Sequence, residues 1–479
     1  MSDKACDIGL VGLGVMGGNF ALNMADKGFR VGVYNRTEEK TRRFMKEEGS
    51  GQPIEAGYSL EEFTARLRQP RAVLIFVPAG DPVDEVISEL TVNLESGDLI
   101  VDCGNSHFKD TTRREESLSK EGILFLGMGV SGGESGARHG PSLMPGGSQE
   151  GYNRIRAILE ASAAQIKGEP CVTYLGSGSA GHYVKMGHNG IEYGIMQLIS
   201  ESYDLLRRGL NLDVESLRST YAKWNEGRLE SYLVEITAQV LSRKDEKTGR
   251  PLVDMILDRA RQKGTGKWTS WDALDLQIPV PTIDTAVTMR NLSDYKEERK
   301  KAGEILSGPS KAFQGERDLF VGQVERALFA AVVLVYAQGL ELLHQASRNY
   351  EYHLDLEAVA RIWRGGCIIR AALLEDIRTA FHAQPDLRNI LLFSELGRDV
   401  MERQGDLRTV VCTAANLGIP LPGFMSALAY YDAYRSVQLP ANLIMAQRDY
   451  FGAHRYERVD AEGTFHTEWQ AEQGGSRHG

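Results

Sequence analysis

The chain opens on a short apolar run, Ile8-Gly9-Leu10-Val11, that passes directly into Gly12-Leu13-Gly14-Val15-Met16-Gly17. A strand, then GxGxxG, then a helical stretch admits few folds. The first glycine serves a tight turn, the second lets the backbone approach a pyrophosphate, and the third lets helix pack closely on strand. The helix N-terminus then faces the negative charge. The chain holds 51 glycines, so the hexapeptide alone is weak evidence. Its position between strand and helix gives it weight and makes Gly12, Leu13, Gly14, Val15, Met16 and Gly17 candidate dinucleotide contacts.

Further strand candidates follow at Val31–Tyr34, Val73–Val77, Leu99–Asp102 and Leu124–Leu126, separated by helix-length segments. Near-continuous Val/Ile/Leu runs of this kind indicate a mainly parallel sheet covered on both faces, a doubly wound α/β (Rossmann) domain. After about Gly178 strand alternation disappears and apolar residues recur at helical spacing, as at Ile191, Ile195 and Leu198. With 479 residues, two or three domains are expected: a dinucleotide-binding Rossmann domain over 1–178, a large all-helical domain over 179–435, and a polar, aromatic C-terminal tail over 436–479. The closing Gly-Gly-Ser-Arg-His-Gly reads as disordered.

The net charge is −10, which argues against nucleic-acid binding and requires any anionic ligand to find a local basic cluster. The apolar run Ala327 to Ala337 is short of the ~20 residues of a bilayer span and reads as a core helix. The N-terminus shows no signal-peptide pattern. Five scattered cysteines without CxxC spacing suggest a reducing, cytoplasmic setting, with no disulfide framework and no metal site.

An NAD site usually carries Asp or Glu about 20 residues beyond the glycines. Here the second strand ends in Asn35-Arg36-Thr37. Arg36 can pair with a 2′-phosphate, with Asn35 and Thr37 donating further hydrogen bonds; a solvated arginine is the plain alternative, and NADP is favoured. In Gly181-His182-Tyr183-Val184-Lys185-Met186-Gly187-His188-Asn189-Gly190-Ile191-Glu192-Tyr193, the residues Lys185, His188, Asn189 and Glu192 share one helix face. Gly181, Gly187, Gly190 and Gly194 lie in or beside this helix, and an interior glycine costs ~1 kcal/mol relative to alanine. Close approach of another backbone or a ligand is therefore expected. A desolvated lysine can accept a proton, and a carboxyl kept protonated can donate one.

Gln262-Lys263-Gly264-Thr265-Gly266-Lys267-Trp268 fails the Walker pattern but joins lysine, hydroxyl and glycine amides in an anion-binding combination. Arg290, Arg448 and His454 add basic groups that form a site only if they converge in space. Ser131-Gly132-Gly133 reads equally as a carboxylate cradle or as a plain glycine-rich loop.

Together with Val130–Glu134, Pro141–Gly147, Ile362–Arg370 and Gln447–His454, these motifs resemble the decarboxylating 6-phosphogluconate dehydrogenases, a family of the β-hydroxyacid dehydrogenase superfamily, over nearly the whole chain. The resemblance implies NADP-dependent oxidation at C3 of 6-phosphogluconate, loss of CO2, and tautomerisation of the enediol to ribulose 5-phosphate. Lys185 matches the family's general base and Glu192 the acid that protonates the enediol. Val77, Pro78, Ala79 and Asn105 match cofactor contacts. Ser131, Gly132 and Gly133 match the substrate carboxylate site, and Asn105, His188 and Asn189 its hydroxyl contacts. Tyr193, Lys263, Thr265 and Arg290 match the phosphate site. Arg448 and His454 match residues given by a partner subunit's tail, implying a homodimer with tail exchange. Departures from the family pattern stand at Pro78, Ser135, His139, Ser179 and Gly187. The rival readings are a non-decarboxylating β-hydroxyacid dehydrogenase and a catalytically inactive NADP-binding regulator.

Overall fold

Alternation along each strand sorts the apolar residues of the first third into two cores. Ile8, Leu10, Val31, Val33, Leu74 and Val101 are buried in one cluster, and Val11, Val73, Ile75, Ile100 and Phe125 in another. Successive strand side chains point to opposite faces, so both faces of the sheet are covered. The structure, a computed structural model that describes residues 5–469, shows this sheet to have seven strands. They are β1 (Ile8–Val11), β2 (Val31–Tyr34), β3 (Ile54–Ala56), β4 (Ala72–Ile75), β5 (Leu99–Asp102), β6 (Leu124–Ser131) and β7 (Ser142–Gly147). Their order is β3-β2-β1-β4-β5-β6-β7. The first six run parallel, and β7 lies antiparallel to β6. This is the doubly wound arrangement expected, with its ligand crevice beyond the strands' carboxyl ends.

Two strands escape a reading by apolar runs. β3 has only three residues, and β7 (SLMPGG) carries a proline and two glycines. β6 continues to Ser131 through two glycines where a loop was expected. The departures at β6 and β7 have one cause. A Cβ on Gly129 would overlap the Lys185 side chain, and one on Gly146 or Gly181 would overlap the facing backbone. The glycines of β6 and β7 let the helix Ala180–Asp204 lie directly on the sheet.

From Ala180 onward the first unit is helical. The apolar run Ala327–Ala337 is wholly buried in the helix Arg317–Asn349. By length and composition this is the one helix among the described residues that could cross a membrane; 67% of its most apolar stretch is buried inside the fold. The glycines of the helix Ala180–Asp204 serve packing: Gly187 faces Leu343, Gly190 faces Thr269 and Gly194 faces Val335. Gly187 makes room for Leu343, whose Cδ2 would lie 2.8 Å from an added Cβ. Ser179 is likewise accommodated: its Oγ shares a 2.7 Å hydrogen bond with the Tyr352 hydroxyl and accepts one of 3.0 Å from Thr112.

Two compact units result, one ending at Leu428 and the other starting at Ala429. The second is organised by Asp449, fully buried on the helix Ala441–Gly452. Its carboxylate accepts from the Arg455 and Thr467 amides at 3.0 Å each and from the Trp469 indole at 2.8 Å. The final Gly-Gly-Ser-Arg-His-Gly lies outside the described residues.

Within the sheet unit, Arg114 joins the β4 and β5 ends. Its guanidinium donates to Asp84 Oδ1 at 2.8 Å, to the Gly80 carbonyl at 3.0 Å, and to Asp102 Oδ2 and Ser106 Oγ at 3.2 Å each. Both Arg114 and Asp102 are buried. Removing one partner of a buried pair strands the other charge at a cost of ~3–5 kcal/mol. Arg114→Met is accordingly expected to lose about that much stability in urea denaturation, and Asp84→Asn distinctly less, because Asp84 is partly exposed.

Candidate active site

A cleft of about 1080 Å³ opens where β1, β4, β5 and β6 end and the helix Ala180–Asp204 crosses them. Gly14, Val15, Met16 and Gly17 line one end, next to Val77, Pro78 and Ala79 beyond β4 and Asn105 beyond β5. Gly12 has φ +102°, and a Cβ there would overlap the Phe76 carbonyl. A Cβ on Gly17 would overlap the Gly12 carbonyl oxygen, whereas Gly14 has nothing within 4 Å of that position. The three glycines thus divide turn, open approach and close packing as expected. The helix Val15–Asp26 that follows has no acidic residue in its first turn and no side-chain cap, which leaves its amides to an anion.

Gly12, Leu13, Asn35, Arg36 and Thr37 do not line this cleft. Asn35 braces the glycine loop: its Oδ1 accepts from the Leu13 amide at 3.1 Å and its Nδ2 donates to the Thr37 carbonyl at 3.2 Å. Thr37 makes no side-chain cap to the helix Glu38–Glu47. Arg36 is exposed and pairs with Glu85 at 3.1 Å.

The helix Ala180–Asp204 supplies Lys185, Asn189, Glu192 and Tyr193 to the cleft wall. Lys185 Nζ donates to Asn189 Oδ1 at 2.9 Å. Burial pulls the Lys185 ammonium below its ordinary range, with Glu192 pulling partly back. Burial pushes the Glu192 carboxyl up against the opposing pull of Lys185 and Arg290. Each shift favours the neutral form, as a base and an acid on one face require. His188 is fully buried and is not a lining residue. Burial, then Lys185, drives its pKa well down, so its ring is neutral. Its Nδ1 lies 3.1 Å from Asn189 Oδ1 and its Nε2 3.2 Å from Ser131 Oγ. With Nδ1 as donor, Nε2 accepts from the serine, and the ring connects two cleft residues instead of facing the cleft itself.

Ser131, Gly132 and Gly133 line the cleft as the end of β6, a turn residue at φ +128° and the start of the helix Gly133–His139. They are a strand-to-helix turn, and no extended glycine-rich loop forms. At the far side Lys263, Thr265 and Arg290 converge with Tyr193, and the Arg290 guanidinium lies 3.6 Å over the Tyr193 ring. Arg448 stands on the helix Ala441–Gly452 and His454 just past it, both in the second unit.

Two family models divide the chain between them. One, described as the NAD binding domain of 6-phosphogluconate dehydrogenase, matches residues 7–176, and the other, the C-terminal domain of 6-phosphogluconate dehydrogenase, matches residues 181–469. The chain belongs to the 6-phosphogluconate dehydrogenase family. The NADP(+)-dependent, decarboxylating 6-phosphogluconate dehydrogenase of Bacillus subtilis is 52% identical over 96% of this chain and 98% of its own length. The decarboxylating enzyme 2 of Saccharomyces cerevisiae is 50% identical over 95% and 93%. Among solved structures, Plasmodium falciparum 6-phosphogluconate dehydrogenase, described apo, with NADP+ and with 6-phosphogluconate, superposes with a TM-score of 0.92 at 46% identity. That match covers 97% of this chain and 100% of the other.

In this family member the cleft also takes in residues outside every motif read from the sequence, among them Arg261, His107 and Met196. Arg261 sits in the basic run Arg259-Ala260-Arg261-Gln262-Lys263, a signal that charge clustering could have caught. Ile368 arrives from the Ile362–Arg370 motif, to which the sequence attached no role. The glycine geometry separates two substitutions. Gly14→Ala is expected to hold stability within ~0.5 kcal/mol while nucleotide affinity falls at least tenfold. Gly17→Ala must move the helix and is expected to lose ~1–3 kcal/mol. Thermal unfolding and nucleotide titration of the two variants check the contrast.

Proposed function

We propose that this chain catalyses the NADP-dependent oxidative decarboxylation of 6-phospho-D-gluconate to D-ribulose 5-phosphate, with CO2 and NADPH as the other products. The observation that carries the reading is the pair Lys185 and Glu192, both driven toward neutrality by burial, on one helix between a dinucleotide turn and a basic pole. The fold fits the cofactor: Gly14 leaves open space at a helix N-terminus, and the β2 end offers Arg36 in place of an acid. Gly12 to Gly17, Asn35 to Thr37, Val77 to Ala79 and Asn105 would hold NADP, which when bound accepts hydride from C3.

Neutral Lys185 takes the proton of the C3 hydroxyl as that carbon is oxidised to a ketone. The resulting ammonium then donates to the C3 oxygen while the bond to the carboxylate carbon breaks. Its electron pair forms the enediol and CO2 departs. Glu192, protonated, delivers a proton to C1 of the enediol while Lys185, neutral again, takes the proton back from the hydroxyl on the former C3, and the ketose results. Asn189 fixes Lys185 Nζ, and His188 holds Asn189 and Ser131 in place. Ser131 to Gly133 would receive the substrate carboxylate, Asn105 and Asn189 its hydroxyls, and Tyr193, Lys263, Thr265 and Arg290 its phosphate. We place the domain divisions at 178/179 and 435/436. A homodimer in which each tail brings Arg448 and His454 to the other subunit's site completes the reading, and exposed Leu443, Ile444 and Phe451 on the tail helix support such an assembly. A cytoplasmic location fits five cysteines that are all free.

With purified protein and 6-phosphogluconate, NADPH and CO2 are expected in equal amounts. NADPH without CO2 means the non-decarboxylating dehydrogenase, and neither product means the inactive regulator. Lys185→Ala should abolish turnover and spare NADP binding. The Glu192 carboxylate raises the Lys185 pKa, so in Glu192→Gln the lysine loses its proton more readily. The acidic limb of the residual kcat/KM profile should therefore move to lower pH; a limb that stays in place or rises would separate the two groups.

A further inference from the structure

Arg36 and Glu85 form an ion pair of 3.1 Å between the end of β2 and the helix Asp81–Thr91. The side chains are 76% and 56% exposed, so the pair does little for folding and stands open to a ligand. Glu85 differs from its neighbours in how it is neutralised. Asp84, one residue earlier, is bound by Arg113 and Arg114, whereas Arg36 is the one cation paired with Glu85 among the described residues. Asp81 adds negative charge to this helix's first turn, and Glu89 lies near enough to reinforce the upward push that burial gives the Tyr34 phenol at the end of β2. An acidic helix face thus meets the strand end that bears Arg36.

We infer that Glu85 is a specificity-determining counter-ion that competes with the cofactor's 2′-phosphate for Arg36. The inference rests on the reading of Arg36 as the partner of that phosphate. A phosphate taking the guanidinium leaves the Glu85 carboxylate unpaired and beside a new dianion, so every binding event works against this residue. The effect falls on NADP+ and NADPH alike and not on NAD+, which has a hydroxyl there. Glu85 therefore lowers the affinity for both phosphorylated cofactors and eases release of the reduced product.

The test is titration of the intact protein with NADP+, NADPH and NAD+, comparing Glu85→Gln and Arg36→Ala with the parent at low and at physiological salt. Glutamine keeps the shape and removes the charge at an exposed site, so folding is not at stake. Glu85→Gln is expected to bind NADP+ and NADPH about three- to tenfold tighter at low salt, the scale of one exposed ion pair plus the relieved repulsion. The gain should shrink as salt screens the charges, and NAD+ should be unaffected. Unchanged or weaker NADP+ binding, or an equal gain for NAD+, overturns the role of Glu85 if Arg36→Ala still loses its preference for NADP+. If Arg36→Ala keeps that preference, the reading of Arg36 itself falls and takes this inference with it.

Discussion

Everything at the candidate site depends on how closely one helix lies on one edge of the sheet. The helix Ala180–Asp204 meets β6 and β7 where Gly146 and Gly181 bring backbone against backbone and where Gly127 and Gly129 make room for the His182 and Lys185 side chains. A single methyl group at Gly129 would overlap Lys185. This contact buries Lys185 and sets it beside the strand ends, where the other cleft residues emerge. The helix's remaining glycines repeat the arrangement against Leu343, Thr269 and Val335. The helix gives up intrinsic propensity at each glycine, and packing on several sides offsets that loss.

The same burial sets the electrostatics. Lys185 and Glu192 share a desolvated wall, and each is pushed toward its neutral form while the other pulls it back. Their protonation is therefore coupled and belongs to the pair. His188, buried and uncharged, keeps a third charge out of this balance while linking Asn189 to Ser131. On the cofactor side the loops after β4 and β5 are held by the buried guanidinium of Arg114, so cleft geometry on both sides rests on groups that do not line it.

Much of this was legible in the residue order. β1, β2 and β5 coincide with their apolar runs, and the glycine triplet divides its tasks as its spacing implies. The period of Lys185, Asn189 and Glu192 is a local property of a helix, so their common face could be read directly. β7 could not, because its proline and glycines suppress every strand signal while serving the helix contact. His188 shared the helical period yet lies behind the wall, since period gives a direction and not a depth.

Residue order alone fixes the doubly wound sheet, the glycine turn, the helical second part and the common face of Lys185, Asn189 and Glu192, because each is written in short-range spacing and alternation. Only the tertiary structure decided which basic groups converge. Lys263, Thr265 and Arg290 meet Tyr193 across loops and helices distant in the chain, and Arg36 meets Glu85 across 49 residues. Contacts of that kind are set by how the layers pack, and no local pattern of residue types encodes the distance between two surfaces.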